Sequence, residues 1–250
     1  MRLLILSDIH ANLEALEACL DAAPEYDQVY NLGDIVGYGA NPNEVTARAR
    51  GLGSIFVRGN HDKACSGLSD LSDFNPIAGL AALWTREKLT EDHLQFLRAL
   101  PHGPVAPMDD VQLVHGSPRD EDEYILMTND AYTILSEAAS PLTFFGHTHV
   151  QRCSLLEETG QGRTFPPAYK SAKGKQKATL EVEPNTKYLV NPGSVGQPRD
   201  GDPRAAFLIY DTDAGLITFY RVPYDIALAQ EKIFAAGLPE RLAVRLEEGR

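Results

Sequence analysis

Five short blocks of Asp, Asn and His residues carry whatever chemistry this chain performs. In Ser7-Asp8-Ile9-His10 the carboxylate and the imidazole stand two apart after an apolar run, so an extended backbone would turn both side chains the same way. Gly33-Asp34-Ile35-Val36-Gly37 follows a second such run, and Gly59-Asn60-His61-Asp62 a third. Three adjacent polar side chains at a strand end are costly to bury unless each finds a partner. Val114-His115-Gly116 and Phe145-Gly146-His147-Thr148-His149 end two more apolar runs, the last with imidazoles at i and i+2. Singly the blocks are weak signals, because Asp-x-His arises by chance and Gly-Asp is commonly a plain turn. Jointly they place five of the seven histidines (His10, His61, His115, His147 and His149, but not His93 or His102) at the carboxyl ends of predicted strands. Open α/β sheets gather ligands at those ends. Carboxylate and imidazole without thiolate suit first-row divalent ions, which can activate water for hydrolysis.

The elements that must position these blocks alternate. Arg2–Leu6, Gln28–Leu32, Ser54–Val57, Val111–Val114 and Leu142–Phe145 read as buried strands. Helical patterns lie at 12–22 with Asn12 as cap, and at 42–50, 76–88, 91–100 and 128–138. This alternation predicts layered α/β structure. Beyond residue 150 the β-forming runs 151–157, 178–183, 186–190, 205–210 and 216–222 suggest a second, mostly antiparallel sheet, followed by helices at 224–236 and 239–248. From Arg163 to Lys177 there are five basic residues and no acidic one, in a Pro-, Gly- and Ser-rich setting. A mobile basic insertion at about 158–178, solvated and flap-like over the cleft, is expected inside a single domain spanning 1–250.

Composition narrows the class. The 250 residues are 43% apolar, enough for a full core. A net charge of −12 argues against a stable nucleic-acid partner, whose phosphates need basic groups. Cys19, Cys65 and Cys153 are scattered, so no disulfide framework or thiolate zinc site is indicated. The first residues form too short an apolar run for a signal peptide, and no segment approaches the ~20 apolar residues of a bilayer span. A cytoplasmic protein, free of the membrane, is expected, with homo-oligomerisation left open.

The order Asp-x-His, Gly-Asp, Gly-Asn-His-Asp, His-Gly, Gly-His-Thr-His resembles that of the calcineurin-like metallophosphoesterases, from Arg2 to about Tyr210. Within them the chain looks most like the small bacterial and archaeal phosphodiesterases, which carry a segment similar to Asn191-Pro192-Gly193-Ser194-Val195. The resemblance implies a four-layer α/β/β/α sandwich of two facing mixed sheets flanked by helices. It also implies that Asp8, His10 and His149 hold one metal, that Asn60, His115 and His147 hold the other, and that Asp34 bridges them. Two ions ~3.5–4 Å apart can share a carboxylate and hold a bridging hydroxide. Mn²⁺ is the first expectation, with Fe, Zn²⁺ or Ni²⁺ as alternatives. By the same resemblance His61 is the general acid, its ring oriented and its pKa raised by Asp62.

Weaker expectations attach to Asn12 and Arg199 as phosphate contacts; helix capping and a surface ion pair are the competing readings. Asn191–Ser194 is either a support for the metal loops or a plain turn. Protein phosphatases and symmetrical diadenosine tetraphosphatases resemble each other in an Asp-Arg-Gly after the second block, and here Gly37-Tyr38-Gly39 stands instead. The expected activity is therefore a metal-dependent phosphodiesterase on small nucleotide-like esters. Alternatives are a phosphomonoesterase or dinucleoside polyphosphate hydrolase, a nuclease using the basic insertion, and, outside enzymes, a catalytically silent scaffold of the same fold.

Overall fold

Leu3, Leu4, Ile5 and Leu6 of β1 (Arg2–Leu6) are all fully buried, and a strand apolar on both faces needs cover on both. Alternate side chains find it on opposite sides. Leu4 and Leu6 pack with helix residues such as Leu16 and Cys19, whereas Leu3 and Ile5 pack with Phe144 and Tyr188 of a second sheet. The computed structural model describes residues 1–250. From β1 the chain passes through α1 (Leu13–Ala22), β2 (Gln28–Asn31), α2 (Pro42–Gly51) and β3 (Ile55–Phe56), which sets β1, β2 and β3 parallel. Three helices follow, α3 (Asn60–Cys65), α4 (Pro76–Lys88) and α5 (Glu91–Arg98). Val45, Ala82 and Leu97 from α2, α4 and α5 join Leu16 on the outer face of this sheet.

A second sheet starts with β4 (Val105–Met108) and β5 (Val111–Leu113), then α6 (Thr128–Glu137) and β6 (Leu142–Phe144). The chain continues through β7 (Arg152–Glu157), β8 (Gly162–Phe165), β9 (Gln176–Glu181), β10 (Thr186–Asn191), β11 (Ala205–Asp211) and β12 (Leu216–Val222). It closes with α7 (Ile226–Ala235) and α8 (Glu240–Glu248). Each sheet has six strands, in the orders β3-β2-β1-β11-β12-β9 and β4-β5-β6-β10-β7-β8. Tyr30, Phe144, Tyr188 and Phe219 help fill the space between them, and α6 covers the far side through Ile134 and Leu135 against Phe145 and Leu189. The layers run helix, sheet, sheet, helix, as expected. No helix is long and apolar enough to cross a membrane.

Sequence and structure differ at three points. The later strands do not make a sheet of their own. β11 inserts antiparallel to β1 with Leu4 opposite Ile209, β12 and β9 extend that sheet, and β10 joins the other sheet parallel to β6. The reason is burial: Ala205 to Tyr210 are all buried, which suits the middle of a sheet covered on both faces. Second, the expected insertion begins and ends in strands. β8 pairs with β7 and β9 with β12, so the segment crosses from one sheet edge to the other. Tyr169 donates to Gln151 Oε1 (2.6 Å) and Arg204 to the carbonyls of Ser171 and Gly174 (3.3 and 2.8 Å), and none of its residues lines the cleft at the five blocks. Third, β4 escapes sequence reading because it contains Pro107, tolerated there because β4 is an edge strand.

The loop after β10 ties the sheets together at their shared end. Val195 and Gly196 donate main-chain hydrogen bonds to the carbonyls of Ser7 and Asp8 (3.0 Å each), and Ser194 Oγ donates to Asp8 O (2.7 Å). A Cβ on Gly196 would overlap the carbonyl of Ile9. Gly196→Ala is therefore expected to lower stability by about 1–3 kcal/mol through overpacking, read as a lower denaturant midpoint at unchanged slope. An unshifted midpoint would show that the two loops separate freely.

Candidate metal centre

The carboxyl ends of the parallel strands deliver the five blocks to one place. Asp8, His10, Asp34 and Asn60 come from the first sheet, and His115, His147 and His149 from the second. The turns that lift them are left-handed, with φ of 53° at Asp8, 49° at His10, 53° at Asp34, 64° at His147 and 61° at His149. This corrects the extended reading of Asp8-x-His10. Non-glycine residues pay of order 1–3 kcal/mol for such conformations and keep them only where the surroundings dictate them. Here Asp8 N donates to Gly33 O (3.0 Å) and His10 N to Asp34 O (2.9 Å), locking the first turn onto the second. Asp34 Oδ1 accepts from His61 N (2.8 Å), which requires its carboxylate to lie where a Cβ on Gly59 would stand.

Hydrogen bonds on the far side of each ring fix which nitrogen faces inward. His10 Nδ1 meets Val36 O (3.1 Å), His115 Nδ1 meets Leu32 O (2.7 Å), and His149 Nδ1 meets Gln197 O (2.6 Å). His147 is turned the other way, with Nε2 on Asp122 O (3.1 Å). A carbonyl only accepts, so each of these nitrogens carries the hydrogen and the other bears a lone pair. The result is two pairs of lone-pair nitrogens face to face: His10 Nε2 and His149 Nε2 at 3.1 Å, and His115 Nε2 and His147 Nδ1 at 3.1 Å. Asp34 Oδ2 lies between the pairs, 3.5 Å from His10 Nε2 and 3.4 Å from His115 Nε2. Asp8 Oδ1 is 3.3 Å from His149 Nε2, and Asn60 Oδ1 is 3.3 Å from His115 Nε2. Lone pairs at such range repel unless a proton or a cation sits between them. Two donor groups share Asp34, one with Asp8, His10 and His149 and the other with His115 and His147. Their nitrogen and oxygen atoms, with no sulfur, fit a pair of first-row divalent ions.

Electrostatics agree with that need for positive charge. Burial would raise the carboxyls of Asp8 and Asp34, but the neighbouring histidines, His149 for the first and His115 for the second, hold both below their usual range. Burial opposes charge on His115 too, yet Asp34 and Asp8 outweigh it and push its pKa up to about 10. Burial lowers His10 and His149, and brings His147 down to about 3, so those rings are neutral.

His61 and Asp62 are placed differently from expectation. Asp62 Oδ1 accepts from Ile35 N and Val36 N (2.9 and 3.2 Å) and Oδ2 from Gly59 N (3.1 Å). It caps α3 and holds the Asp34 loop, while His61 Nδ1 is buried with no hydrogen-bond partner. Asp62 therefore does not orient the ring, because its lone pairs are committed to main-chain amides. Burial lowers the His61 pKa to about 4, with Arg199 adding to the effect against Asp34. The ring lines a cleft of about 340 Å³ beside Asn60 and His147 and is set by aromatic neighbours, Tyr38 at 4.3 Å and Phe74 at 4.8 Å between centroids.

Asn12 caps α1 through Ala15 N (3.1 Å) and donates to Gly196 O (2.9 Å), so its side chain is engaged within the fold. Arg199 forms no surface ion pair; it donates to Gln197 Oε1 (3.0 Å) and Tyr38 OH (3.4 Å). The Asn191–Ser194 segment does support the metal loops, with Asn191 Nδ2 on Gly146 O (2.8 Å). Sequence reading missed Tyr38 and Tyr124, the second with its ring centroid 3.7 Å from that of His147 and tilted 33° to it. It also missed the carbonyls of Leu32, Val36, Asp122 and Gln197, which no side-chain motif could signal.

Two variants separate these roles. Asp34→Ala is expected to abolish divalent-ion binding in both donor groups, measured as metal content after dialysis; retention of either ion would refute its bridging position. Asp62→Asn would set an amide against amides, and is expected to cost about 1–3 kcal/mol in denaturant unfolding.

Residues 1–215 match the calcineurin-like phosphoesterase superfamily domain. An uncharacterized protein of Methanocaldococcus jannaschii is 36% identical over 257 residues, covering 98% of this chain and 97% of that one. The symmetrical bis(5'-nucleosyl)-tetraphosphatase of Erwinia tasmaniensis is 27% identical over 161 residues, 55% of this chain and 59% of that protein. The crystal structure of a metallophosphoesterase from Sphaerobacter thermophilus superposes with a TM-score of 0.86 at 44% identity over 100% of both chains. With the five blocks on the expected strand ends and the superfamily match spanning most of its length, the chain belongs to the calcineurin-like phosphoesterase superfamily.

Proposed function

We propose that the protein is a metal-dependent hydrolase of phosphate esters, and within that class a phosphodiesterase acting on small, nucleotide-like substrates. The observation that carries this reading is the pair of facing lone-pair nitrogens on either side of Asp34, beside His61 at the cleft. When bound, two divalent ions, Mn²⁺ as first choice, would supply Lewis-acid charge and a water acidic enough to attack at neutral pH. Asp8, His10 and His149 would hold one ion, Asn60, His115 and His147 the other, and Asp34 both. His61 would give a proton to the departing ester oxygen. A phosphate anion arriving beside the ring favours its protonated form.

The cleft favours a diester. Asp70, Asp73 and Asp122 line it, and its lysine, Lys63, is paired with Glu121 at 3.0 Å and with Asp122. Carboxylates there oppose a dianionic monoester more than a monoanionic diester. Phe74 and Tyr124 offer flat apolar surface for an aryl or nucleoside group. A dinucleoside polyphosphate hydrolase is the second reading, supported by the Erwinia tasmaniensis relative and by an Arg199 free of carboxylate partners. A silent scaffold is disfavoured because all seven ligand positions and His61 are present and, the ligands at least, convergent.

A screen of divalent metals against bis-p-nitrophenyl phosphate, p-nitrophenyl phosphate, dinucleoside polyphosphates and cyclic nucleotides tests the substrate class. Diester turnover is expected to lead, and monoester turnover exceeding it with every metal would sink the diester reading. His61→Ala should keep its metals but lose about 10²–10⁴-fold in kcat, most severely with poor leaving groups. Unchanged rates would remove His61 as the acid.

A further inference from the structure

The helices α7 and α8 lie beyond the residues that match the superfamily, yet they reach the site. Leu242, Ala243 and Leu246 of α8 cluster with Ala229 and Ile233 of α7 and with Tyr38, whose ring stands 4.7 Å from that of His10 and 4.3 Å from that of His61. One turn apart on the same helix, Arg241 and Arg245 line a recess of about 260 Å³ with Tyr38, Asn75 and Ile77. Tyr38 and Asn75 also line the catalytic cleft, so recess and cleft share a wall. The Arg245 guanidinium carbon lies 6.0 Å from the Tyr38 ring centroid, and that of Arg199 lies 5.7 Å from the same centroid.

These arginines are unlike most others in the chain. Arg48, Arg58, Arg204 and Arg221 each meet an Asp or Glu side chain. Arg199 bonds only to Gln197 and Tyr38, and its Nε is buried without a partner. Arg245 gives its Nε to the main-chain oxygen of Arg250, which leaves its terminal nitrogens uncommitted. Burial, with Arg199 adding like charge, pushes the Arg245 pKa down to about 10. In a protein with 35 acidic and 23 basic residues, two guanidiniums lining one recess, neither of them in an ion pair with an Asp or Glu side chain, are a place prepared for an external anion.

We infer that Arg241 and Arg245 of α8 bind a second phosphate group of the substrate, one tyrosine ring away from the ester being cleaved, with Arg199 adding positive charge from beside the same ring. This rests on the phosphodiesterase reading and narrows it. The substrate class is a phosphodiester with one arm carrying a further phosphomonoester. The acidic wall at Asp70 and Asp73 excludes that extra phosphate from the Phe74 side, and the arginine recess accepts it on the other side of Tyr38.

The test compares two substrates of the Mn²⁺-loaded full chain: thymidine 5'-(p-nitrophenyl phosphate) and the same ester carrying a 3'-phosphate. The 3'-phosphorylated ester is expected to have a kcat/KM higher by roughly tenfold or more, and the ratio should fall towards one in Arg241→Gln/Arg245→Gln. Equal kcat/KM values in the wild type, or a ratio unmoved in the double variant, would overturn the inference while leaving the phosphodiesterase reading in place. Turnover of neither ester would overturn that reading instead, and calorimetry then decides the subsite without catalysis. Thymidine 3',5'-bisphosphate should bind the wild type roughly tenfold tighter than thymidine 5'-phosphate, and the double variant without preference. Absence of preference in the wild type would end the proposal.

Discussion

Two pairs of imidazole nitrogens aim lone pairs at each other across 3.1 Å, and the rest of the structure is organised to keep them there. Left to themselves the rings would turn away. They are prevented by four main-chain carbonyls that claim the opposite nitrogens, those of Leu32, Val36, Asp122 and Gln197. The carbonyls belong to three loops: Leu32 and Val36 to the one after β2, Asp122 to the one before α6, and Gln197 to the one after β10. The tautomers are therefore set by the fold as a whole, and ligand basicity rises with the outer hydrogen bond.

That constraint explains why the backbone is strained where it is. Five of the seven ligand positions adopt left-handed φ, with only glycines and short polar contacts to relieve them. The strain is tolerable because the turns are cross-bonded: the first block to the second, and the loop after β10 to the first. Asp62 contributes by gathering three main-chain amides around the Asp34 turn. A polar residue three places into α3 thus stabilises the bridging position of another carboxylate, and His61 is left to its aromatic neighbours.

How much of this was legible in the sequence follows from what each feature depends on. The buried strands of the first 150 residues showed themselves because their apolar runs end in polar blocks, and α4 appears at 76–88 as its pattern predicts. The residues that converge at the candidate site were legible because metal chemistry restricts residue types. Sheet membership of the later strands was not, since β11 and β12 have the composition of any buried strand and only tertiary pairing decides their neighbours. Asp62 was misjudged because adjacency to His61 in sequence suggested adjacency of function. In a helix, though, the side chain three residues after the cap turns back towards the main chain. The arginines of α8 were invisible for a related reason: their meaning comes from Tyr38, some two hundred residues away.

On the proposed reading, reaction and selection fall to different parts of the molecule. The facing ring nitrogens sit on strand ends within the superfamily match, where sheet geometry leaves little freedom. The cleft beside them is lined by the Asp70–Asn75 loop and Tyr124, and the adjoining recess, outside the match, by α8. Charge divides across Tyr38, with carboxylates on one side and guanidiniums on the other. Cations bound there would neutralise the buried carboxylates and leave only a modest field on distant groups, so selection would fall to these nearby charges. A substrate anion can be accepted on one side and refused on the other without any change to the ligand set, and substrate preference in this fold can vary while the chemistry stays fixed.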